Sequence, residues 1–482
     1  MASTMPDVPV LAAPPTPAPP QLAPAPNPQH AFHHGISLLH GWLPLTVELL
    51  AAALLLIAIA RRTKRWWSIQ VPACTAVGVA AALAAAWYVA DEGLASDPAP
   101  TRLWLWVGGT AAAAAIAIAG WPGAHWWRRA VAVLAIPSTL VSTGIVVNQW
   151  VGYYPTVQAV WGAVTAGALP HQIDLSALPA LRNTPVADGA LVPVRIPDAG
   201  SGFPHRTEYV YLPPAWFTGP TPPALPVVMM IGGEFNTPAD WLRSGQIMPT
   251  VDGFTKANGG LAPILVFVDS SGSFNNDTEC VDGPRGDAAA HLTEDVPTYL
   301  EARFGASADP ARWAVVGWSM GGTCAVDLAV MHPELLRTFV DIAGDLGPSS
   351  GTKEQSIARL FGGDADAWAA FDPLTVMARH GPYNGVAGLF DDLLPAQRSG
   401  GGNRRTPATD DDHAGLGGRD EVPDTGETGA AGTLCAAGRA VGIECTVYTT
   451  EGGHTWQFAA AAFASSLPWV VGRVGLPVPA GN

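Results

Sequence analysis

The sequence predicts a chain in two parts: four membrane-spanning helices, followed by an α/β domain with a mostly parallel sheet. The first part is predicted by four apolar stretches, each close to the ~20 residues that cross a bilayer as a helix. The second is predicted by short apolar runs that alternate with helical stretches after residue 186. Only 13% of the 482 residues are charged, about half of the ~25% that is usual in soluble domains.

The charges that remain are unevenly distributed. Residues 186–482 contain 17 Lys or Arg and 34 Asp or Glu, whereas residues 1–185 contain 8 and 6. An acidic surface repels a phosphate backbone, so nucleic acid is excluded as a partner of this region. The chain therefore divides into an apolar, nearly neutral N-terminal part and an acidic C-terminal part.

Residues 1–40 form a Pro- and Ala-rich arm. Ten Pro before position 29, without any periodic apolar face, predict a disordered segment. Residues 41–150 follow as a four-helix transmembrane anchor. Its spans are predicted near 43–60, 69–90, 103–121 and 130–148.

Basic residues in the connecting loops predict the orientation of these spans. Four of them lie between 61 and 65, after the first span, and Arg128 and Arg129 separate the third span from the fourth. The loop between the second and third spans is acidic. By the positive-inside rule, the basic loops are cytoplasmic, so both termini lie outside a plasma membrane. Glu48 is the only acidic residue within a span, which favours an anchor over a transporter.

Residues 151–185 read as a linker, and residues 186–482 as the α/β domain. Two edge strands are expected first, and continuous apolar runs typical of buried parallel strands come after them. Helical patterns separate these runs. The predicted strands cover 190–197, 206–212, 226–231, 263–269, 313–317, 338–342, 385–390 and 444–448.

A nucleophile motif stands at the end of the 313–317 strand. Residues 317–322 read GWSMGG, and a helical pattern follows them. In this G-x-S-x-G motif, a sharp turn lifts the serine hydroxyl above the sheet, and the next backbone N–H faces the developing oxyanion. We therefore expect Ser319 to be a nucleophile and Met320 an oxyanion donor. The backbone N–H of Glu234 or Phe235, after the 226–231 strand, is expected to be the second donor.

A serine nucleophile needs a base and an acid, which follow it along the chain in this type of fold. His454 comes directly after the last predicted strand and is the expected base; His332 and His291 lack a comparable context. The acid is expected in the loop after the 385–390 strand. Asp391 is preferred there, and Asp392 remains a close alternative. Two outside possibilities are Glu427 and Asp345.

These residues together resemble an esterase family of the α/β-hydrolase fold that includes esterase D and the secreted mycolyltransferases. The resemblance covers about 186–472 and is carried by PVVMMIGGE, the Trp241 region, GWSMGGTCAVDLAVMHPELL and GGHTW. It implies that Ser319 is the nucleophile, that His454 is the base, and that an acyl-enzyme forms. Mycolyltransferases use a Glu on the helix that follows the acid-bearing loop. The corresponding helix here, residues 430–440, contains no acid.

The remaining features concern the cofactor, the cysteines and the alternative function. Residues 395–429 form a polar, Gly-rich insert that includes Asp410 and His413, but acidic runs are usually solvated, so we expect neither a metal nor a cofactor.

An oxidising exterior permits disulfides Cys280–Cys324 and Cys435–Cys445. The sequence thus predicts an outward-facing serine esterase or acyltransferase acting on an acyl ester or glycolipid. The alternative is a vestigial hydrolase fold used for binding or assembly; the oligomeric state is not predicted.

Overall fold

The computed structural model describes residues 35–61, 63–92, 99–165, 167–393, 426–450 and 453–479. Among these residues, four helices are long and apolar enough to span a membrane, with mean hydropathy between 1.6 and 2.2. They are α1 (Trp42–Ile59), α2 (Val71–Glu92, preceded by a π-helical turn at Trp66–Gln70), α3 (Thr101–Gly120) and α4 (Trp126–Val151).

The four helices form a bundle in which α2 packs on α3, α3 on α4, and α1 on α4. Close approach of α2 and α3 depends on Gly78 and Gly108: a Cβ on Gly78 would lie 2.5 Å from the carbonyl oxygen of Gly108. Small residues at such crossings are typical of helices packed within lipid. Glu48 has two polar contacts: its carboxylate accepts a hydrogen bond from Trp106 Nε1 at 3.3 Å and lies 3.8 Å from Arg102.

The basic loops gather at one end of this bundle. Arg61 donates to the carbonyl oxygen of Gly120 at the end of α3, and Arg128 donates to that of Ala60 at the end of α1. Contacts to the α/β domain lie at the other end. There Arg359 pairs with Asp91 at the end of α2, with 2.9 Å between nitrogen and oxygen.

The segment predicted as a linker contains further helices. An eight-residue helix, α5 (Val157–Val164), begins six residues after α4 ends and is capped by the side chain of Thr156. A short 3-10 turn at Leu175–Ala177 then leads into α6 (Leu178–Leu181), which packs on the sheet.

The described part of the α/β domain contains an eight-stranded sheet and a separate two-stranded hairpin. The sheet order is β1-β2-β4-β3-β7-β8-β9-β10; β2 is antiparallel to both of its neighbours, and the strands from β4 to β10 are parallel. The strands are β1 (Ala190–Val194), β2 (Glu208–Leu212), β3 (Val227–Ile231), β4 (Ile264–Phe267), β5 (Asp282–Gly283), β6 (Gly286–Asp287), β7 (Trp313–Trp318), β8 (Thr338–Ile342), β9 (Ala387–Leu393) and β10 (Glu444–Thr450).

Helices cover both faces of the sheet. They are α7 (Asp240–Arg243), α8 (Met248–Ala257), α9 (Ala288–Ala290, continuing through a π-helical turn His291–Asp295 into α10, Val296–Phe304), α11 (Met320–Met331), α12 (Lys353–Phe361), α13 (Ala365–Phe371), α14 (Pro373–His380), α15 (Gly426–Ala440) and α16 (Trp456–Arg473). Helices α11 and α15 pack on one face, and α8 and α16 on the other. The predicted fold class is therefore confirmed.

Candidate active site

Ser319 occupies the turn between β7 and α11, as the motif predicts. Its backbone has φ 59° and ψ −125°, a region that non-glycine residues rarely adopt. The turn is possible because glycines flank it: a Cβ on Gly317 would lie 1.6 Å from the carbonyl oxygen of Gly321. The Ser319 N–H donates to the carbonyl oxygen of Ile342 at 2.9 Å, which ties the turn to the end of β8.

The loop after β3, residues 232–236, lies directly against the nucleophile. A Cβ on Gly233 would stand only 3.0 Å from Cβ of Ser319. The Gly233 N–H donates to Oδ1 of Asn236 at 2.7 Å, so this amide is already engaged within the loop. Phe235 has a positive φ of 62°. The two predicted donors of this loop, Glu234 and Phe235, are thus carried beside Ser319, and Met320 is the first residue of α11.

A buried ion pair supports the 232–236 loop from behind. Both carboxylate oxygens of Asp269, at the end of β4, accept hydrogen bonds from the Arg206 guanidinium, at 2.6 and 2.9 Å. The same guanidinium donates to the carbonyl oxygen of Asn236 at 2.8 Å. Burial opposes ionisation of Asp269, but the hydrogen bonds and charge of Arg206 outweigh it and lower the pKa of the carboxyl. The pair therefore stays charged at neutral pH.

His454 stands close to the serine turn. It is half-buried in the segment between β10 and α16, and its ring lies over Trp318 with 4.2 Å between centroids. Because Trp318 directly precedes Ser319, the base candidate and the nucleophile candidate share one end of the sheet. Thr455 then caps α16 by accepting from the Phe458 N–H.

The prediction that Asp391 and Asp392 follow a strand in a loop is wrong. Strand β9 continues to Leu393, since it pairs in parallel register with β10 as far as the Leu393–Thr450 pair. Successive side chains of a strand point to opposite faces, so the two carboxyl groups diverge. Asp391 shares the face of Leu389 and Leu393, which packs with α16, whereas Asp392 shares the opposite face with Phe390.

The environment of Asp391 favours it as the partner of His454. It lies on the face covered by α16, the helix that follows His454, and Oδ1 accepts a hydrogen bond from Thr450 Oγ1 at 3.2 Å. Burial raises the pKa of Asp391 to about 6. Of the two outside possibilities, Asp345 donates its backbone N–H to Thr323 of α11, and the side chain of Glu427 lies outside the described residues.

The histidine that the sequence left without a role is part of a buried cluster. Nε2 and Nδ1 of His291 lie 3.1 Å from Glu208 and 3.3 Å from Asp295, and the His205 ring stacks on His291 at 4.5 Å. Burial lowers the pKa of His291, but the hydrogen bonds and charges of Glu208 and Asp295 outweigh it and raise the value. His291 and Glu208 are 83 residues apart in the sequence, so no local motif predicts that they meet.

Within this cluster, His205, Glu208 and His291 form the described group of His, Cys, Asp and Glu whose ligand atoms approach closely enough to hold a metal ion. However, both ring nitrogens of His205 already lie against backbone carbonyl oxygens, at 2.7 and 2.9 Å. Both nitrogens are therefore directed at backbone oxygens and not at a shared ligand position. The arrangement therefore fits a hydrogen-bonded ionic cluster better than a metal centre. The insert residues Asp410 and His413 lie outside the described residues.

Both predicted disulfides are present. Cys280 is bonded to Cys324 on α11, five residues after the nucleophile candidate, and Cys435 is bonded to Cys445. The first bond fastens the loop after β4 to the helix that carries the serine turn. The described residue Cys74 is a free, buried cysteine within α2.

Comparison with known proteins gives a family. A family model described as an esterase matches residues 204–385, which include Ser319. The uncharacterized Corynebacterium glutamicum protein Cgl0967/cg1104 is 32% identical over 345 residues, which are 70% of this chain and 75% of that protein.

Two solved structures illustrate the structural likeness. An S-formylglutathione hydrolase from Agrobacterium tumefaciens is 20% identical, covering 56% of this chain and 90% of its own, with a TM-score of 0.42. MPT51 (FbpC1) of Mycobacterium tuberculosis is 19% identical, covering 58% and 99%, with a TM-score of 0.36. On the esterase model and the 32% identical relative, the chain belongs to the esterase family.

Proposed function

We propose that this protein is a membrane-anchored, outward-facing serine esterase or acyltransferase that acts on acyl esters of cell-envelope lipids. The observation that carries the proposal is the position of Ser319, in a sharp turn at the start of α11 and in contact range of Gly233. A hydroxyl held between a helix N-terminus and a glycine loop is poised for attack on an ester carbonyl.

The proposed reaction proceeds through an acyl-enzyme. Ser319 Oγ attacks the ester carbonyl carbon while His454 accepts the hydroxyl proton, and Asp391 stabilises the imidazolium. The negative charge on the carbonyl oxygen is met by the Met320 N–H and by an N–H of the 232–236 loop. Because Gly233 donates to Asn236, we assign the second donor to Glu234 or Phe235. His454 then protonates the leaving alcohol, and the acyl group stays on Ser319.

Water or a sugar hydroxyl completes the cycle. His454 removes a proton from the acceptor, whose oxygen attacks the acyl carbon, and His454 then returns the proton to Ser319 Oγ as the bond between the acyl carbon and Oγ breaks. An outward location for this chemistry is supported by two structural features and by one general property of disulfides. The spans carry their basic loops at the end opposite to the α/β domain contacts; the domain has two disulfides; and disulfides persist in oxidising compartments.

Labelling with a fluorophosphonate probe tests the proposed nucleophile. We expect the wild type to be labelled and Ser319→Ala not to be, because the probe phosphonylates an activated serine hydroxyl. Ser244→Ala is the control, since this serine is fully buried in the α/β domain, and it should be labelled like the wild type. Equal labelling of wild type and Ser319→Ala would reject this nucleophile.

The mass of the acyl-enzyme identifies the acyl group of the donor. After incubation with envelope lipid extract, intact-mass analysis is expected to show an adduct on the wild type, whose added mass gives the acyl group, and none on Ser319→Ala. Absence of both labelling and adduct in the wild type would favour the alternative of a vestigial fold used for binding.

A further inference from the structure

We propose that the end of the last membrane span is a positioning element of the active site, with Tyr153 as its positioning residue. The inference rests on the proposed function of the Ser319 site and deepens it. Two consecutive residues, Gly152 and Tyr153, follow directly after α4, and their contacts lead to both loops on which the proposed catalysis depends. The anchor would then set catalytic geometry as well as location.

The first set of contacts leads to the 232–236 loop through Asp240 and Thr237, which follow that loop in the chain. Tyr153 Oη donates to Oδ2 of Asp240 at 2.5 Å, and this same oxygen accepts the N–H and the hydroxyl of Thr237, at 2.6 and 2.9 Å. Asp240 is only 5% exposed, so these three donors replace water around one carboxylate oxygen. Thr237 directly follows Asn236, whose side chain holds the Gly233 amide against the nucleophile.

The phenol is suited to this role as a donor. Burial, together with the charge of Asp240, raises the pKa of Tyr153 well above its usual value. The hydroxyl therefore keeps its proton throughout the pH range of enzyme assays. A hydrogen bond to a buried carboxylate is among the stronger kinds, and its loss leaves an acceptor that water reaches poorly.

The second set of contacts reaches the histidine segment, residues 454–457. Gln457 Nε2 donates to the carbonyl oxygen of Gly152 at 3.0 Å. Gly152 has φ 62°, and a Cβ there would lie 2.5 Å from Cβ of Thr455, so this position requires glycine. The Tyr153 ring also meets the Trp456 ring edge to face, with 6.4 Å between centroids. The contacting residues are the three that directly follow His454.

The consequence is that one short connector joins two loops that must be aligned with each other. The oxyanion donors and the base come from segments more than 200 residues apart in the sequence, and residues that closely follow each segment are bonded to residues 152–153. A displacement of ~1 Å in such groups can cost ~10²-fold in rate. Tyr153 itself need not touch the substrate, so its effect is expected on turnover and not on binding.

Kinetics of the full-length protein in detergent test this assignment. With p-nitrophenyl butyrate, which has no membrane requirement, Tyr153→Phe should lower kcat at least ~10-fold while KM stays within ~2-fold of the wild type. Tyr154→Phe is the matched control, because it removes a neighbouring phenol and should retain the wild-type kcat. Rates are to be expressed per active site, counted by fluorophosphonate labelling, so that misfolded protein does not contribute.

A second variant approaches the connector from the opposite side. Gln457→Met removes the bond to Gly152 and should lower kcat in the same direction. The proposal is overturned if Tyr153→Phe and Gln457→Met keep the wild-type kcat, if Tyr154→Phe loses as much, or if the loss disappears once rates are divided by active sites. An inactive, unlabelled wild type would instead refute the proposed function, so the two failures are distinguishable.

Discussion

Ser319 combines a backbone conformation that serine disfavours with a position at the start of a buried helix. A left-handed φ in a non-glycine residue costs ~1–3 kcal/mol and persists where the surroundings hold it. Here they include the hydrogen bond from the Ser319 N–H to Ile342 and the close packing of Gly317 on Gly321. The N-terminus of α11, the positive end of the helix dipole, lies at the same place. The strained backbone and the positive end of the helix dipole are therefore both located at Ser319.

At this scale, substitution of the two aspartates distinguishes the candidate acids. Asp391→Asn should lower kcat/KM by about 10³-fold or more, because an amide cannot stabilise the imidazolium. Asp392→Asn, on the opposite face of β9, should stay within severalfold of the wild type when rates are given per active site. A larger loss in Asp392→Asn than in Asp391→Asn, measured with p-nitrophenyl butyrate, would reverse the assignment.

The pH profile gives a second measurement on Asp391. Only the ionised carboxylate stabilises the imidazolium, and burial raises the pKa of this group to about 6. Activity of the wild type should therefore fall as the pH decreases through about 6, since Asp391 becomes protonated. In Asp391→Asn, the residual activity should no longer show the decrease that protonation of Asp391 causes in the wild type. A wild-type profile that stays flat down to pH 5 would contradict the role.

Residues differ in how far the sequence alone predicts them. The serine turn could be predicted because its glycines and its flanking strand and helix are contiguous. The position of Asp391 inside β9 could not, because the strand end depends on pairing with β10, 50 or more residues later. The bond from Tyr153 to Asp240 spans 87 residues and has no local pattern. Such contacts arise from packing and leave no periodic signal.

Among the elements, α11 is held by packing against the sheet and by a disulfide bond. It lies between β7 and β8 on one face of the sheet, and Cys324 ties it to the loop after β4. The elements themselves were largely predictable, since buried parallel strands read as continuous apolar runs. The helix α5 was not predicted, because its eight residues are too short for a reliable periodicity.

The two disulfides provide a prediction about stability at the level of these elements. The Cys280–Cys324 bond closes a loop with a sequence separation of 44, and the Cys435–Cys445 bond one of 10. By the chain-entropy relation, their removal should cost about 4 and about 3 kcal/mol of unfolding free energy, respectively. Thermal unfolding of the two double Cys→Ser variants should therefore show the larger decrease for Cys280→Ser with Cys324→Ser. The reverse order would show that the entropy of the unfolded chain does not dominate here.

The whole molecule is polarised along the helical bundle. Arg61 and Arg128 bind carbonyl oxygens at one end, where α1 and α3 finish. At the other end, Asp91 pairs with Arg359, and Gly152 accepts from Gln457, so two of the helices contact the α/β domain directly. In the proposed membrane-anchored enzyme, a serine site fixed in this way lies near the bilayer surface, where acyl lipids are concentrated. The same polarity makes the direction of insertion decisive for function.

Cysteine accessibility in intact cells tests that direction. Lys64→Cys lies in the basic loop after α1, and Glu301→Cys lies on α10; both positions are exposed, whereas the native free Cys74 is buried. A membrane-impermeant maleimide should label Glu301→Cys in intact cells and Lys64→Cys only after permeabilisation, because basic loops stay on the cytoplasmic side. The wild type, with its other described cysteines in disulfides, serves as the unlabelled control. Labelling of Lys64→Cys alone in intact cells would place the esterase domain in the cytoplasm and remove envelope lipids of the outer leaflet as its substrates.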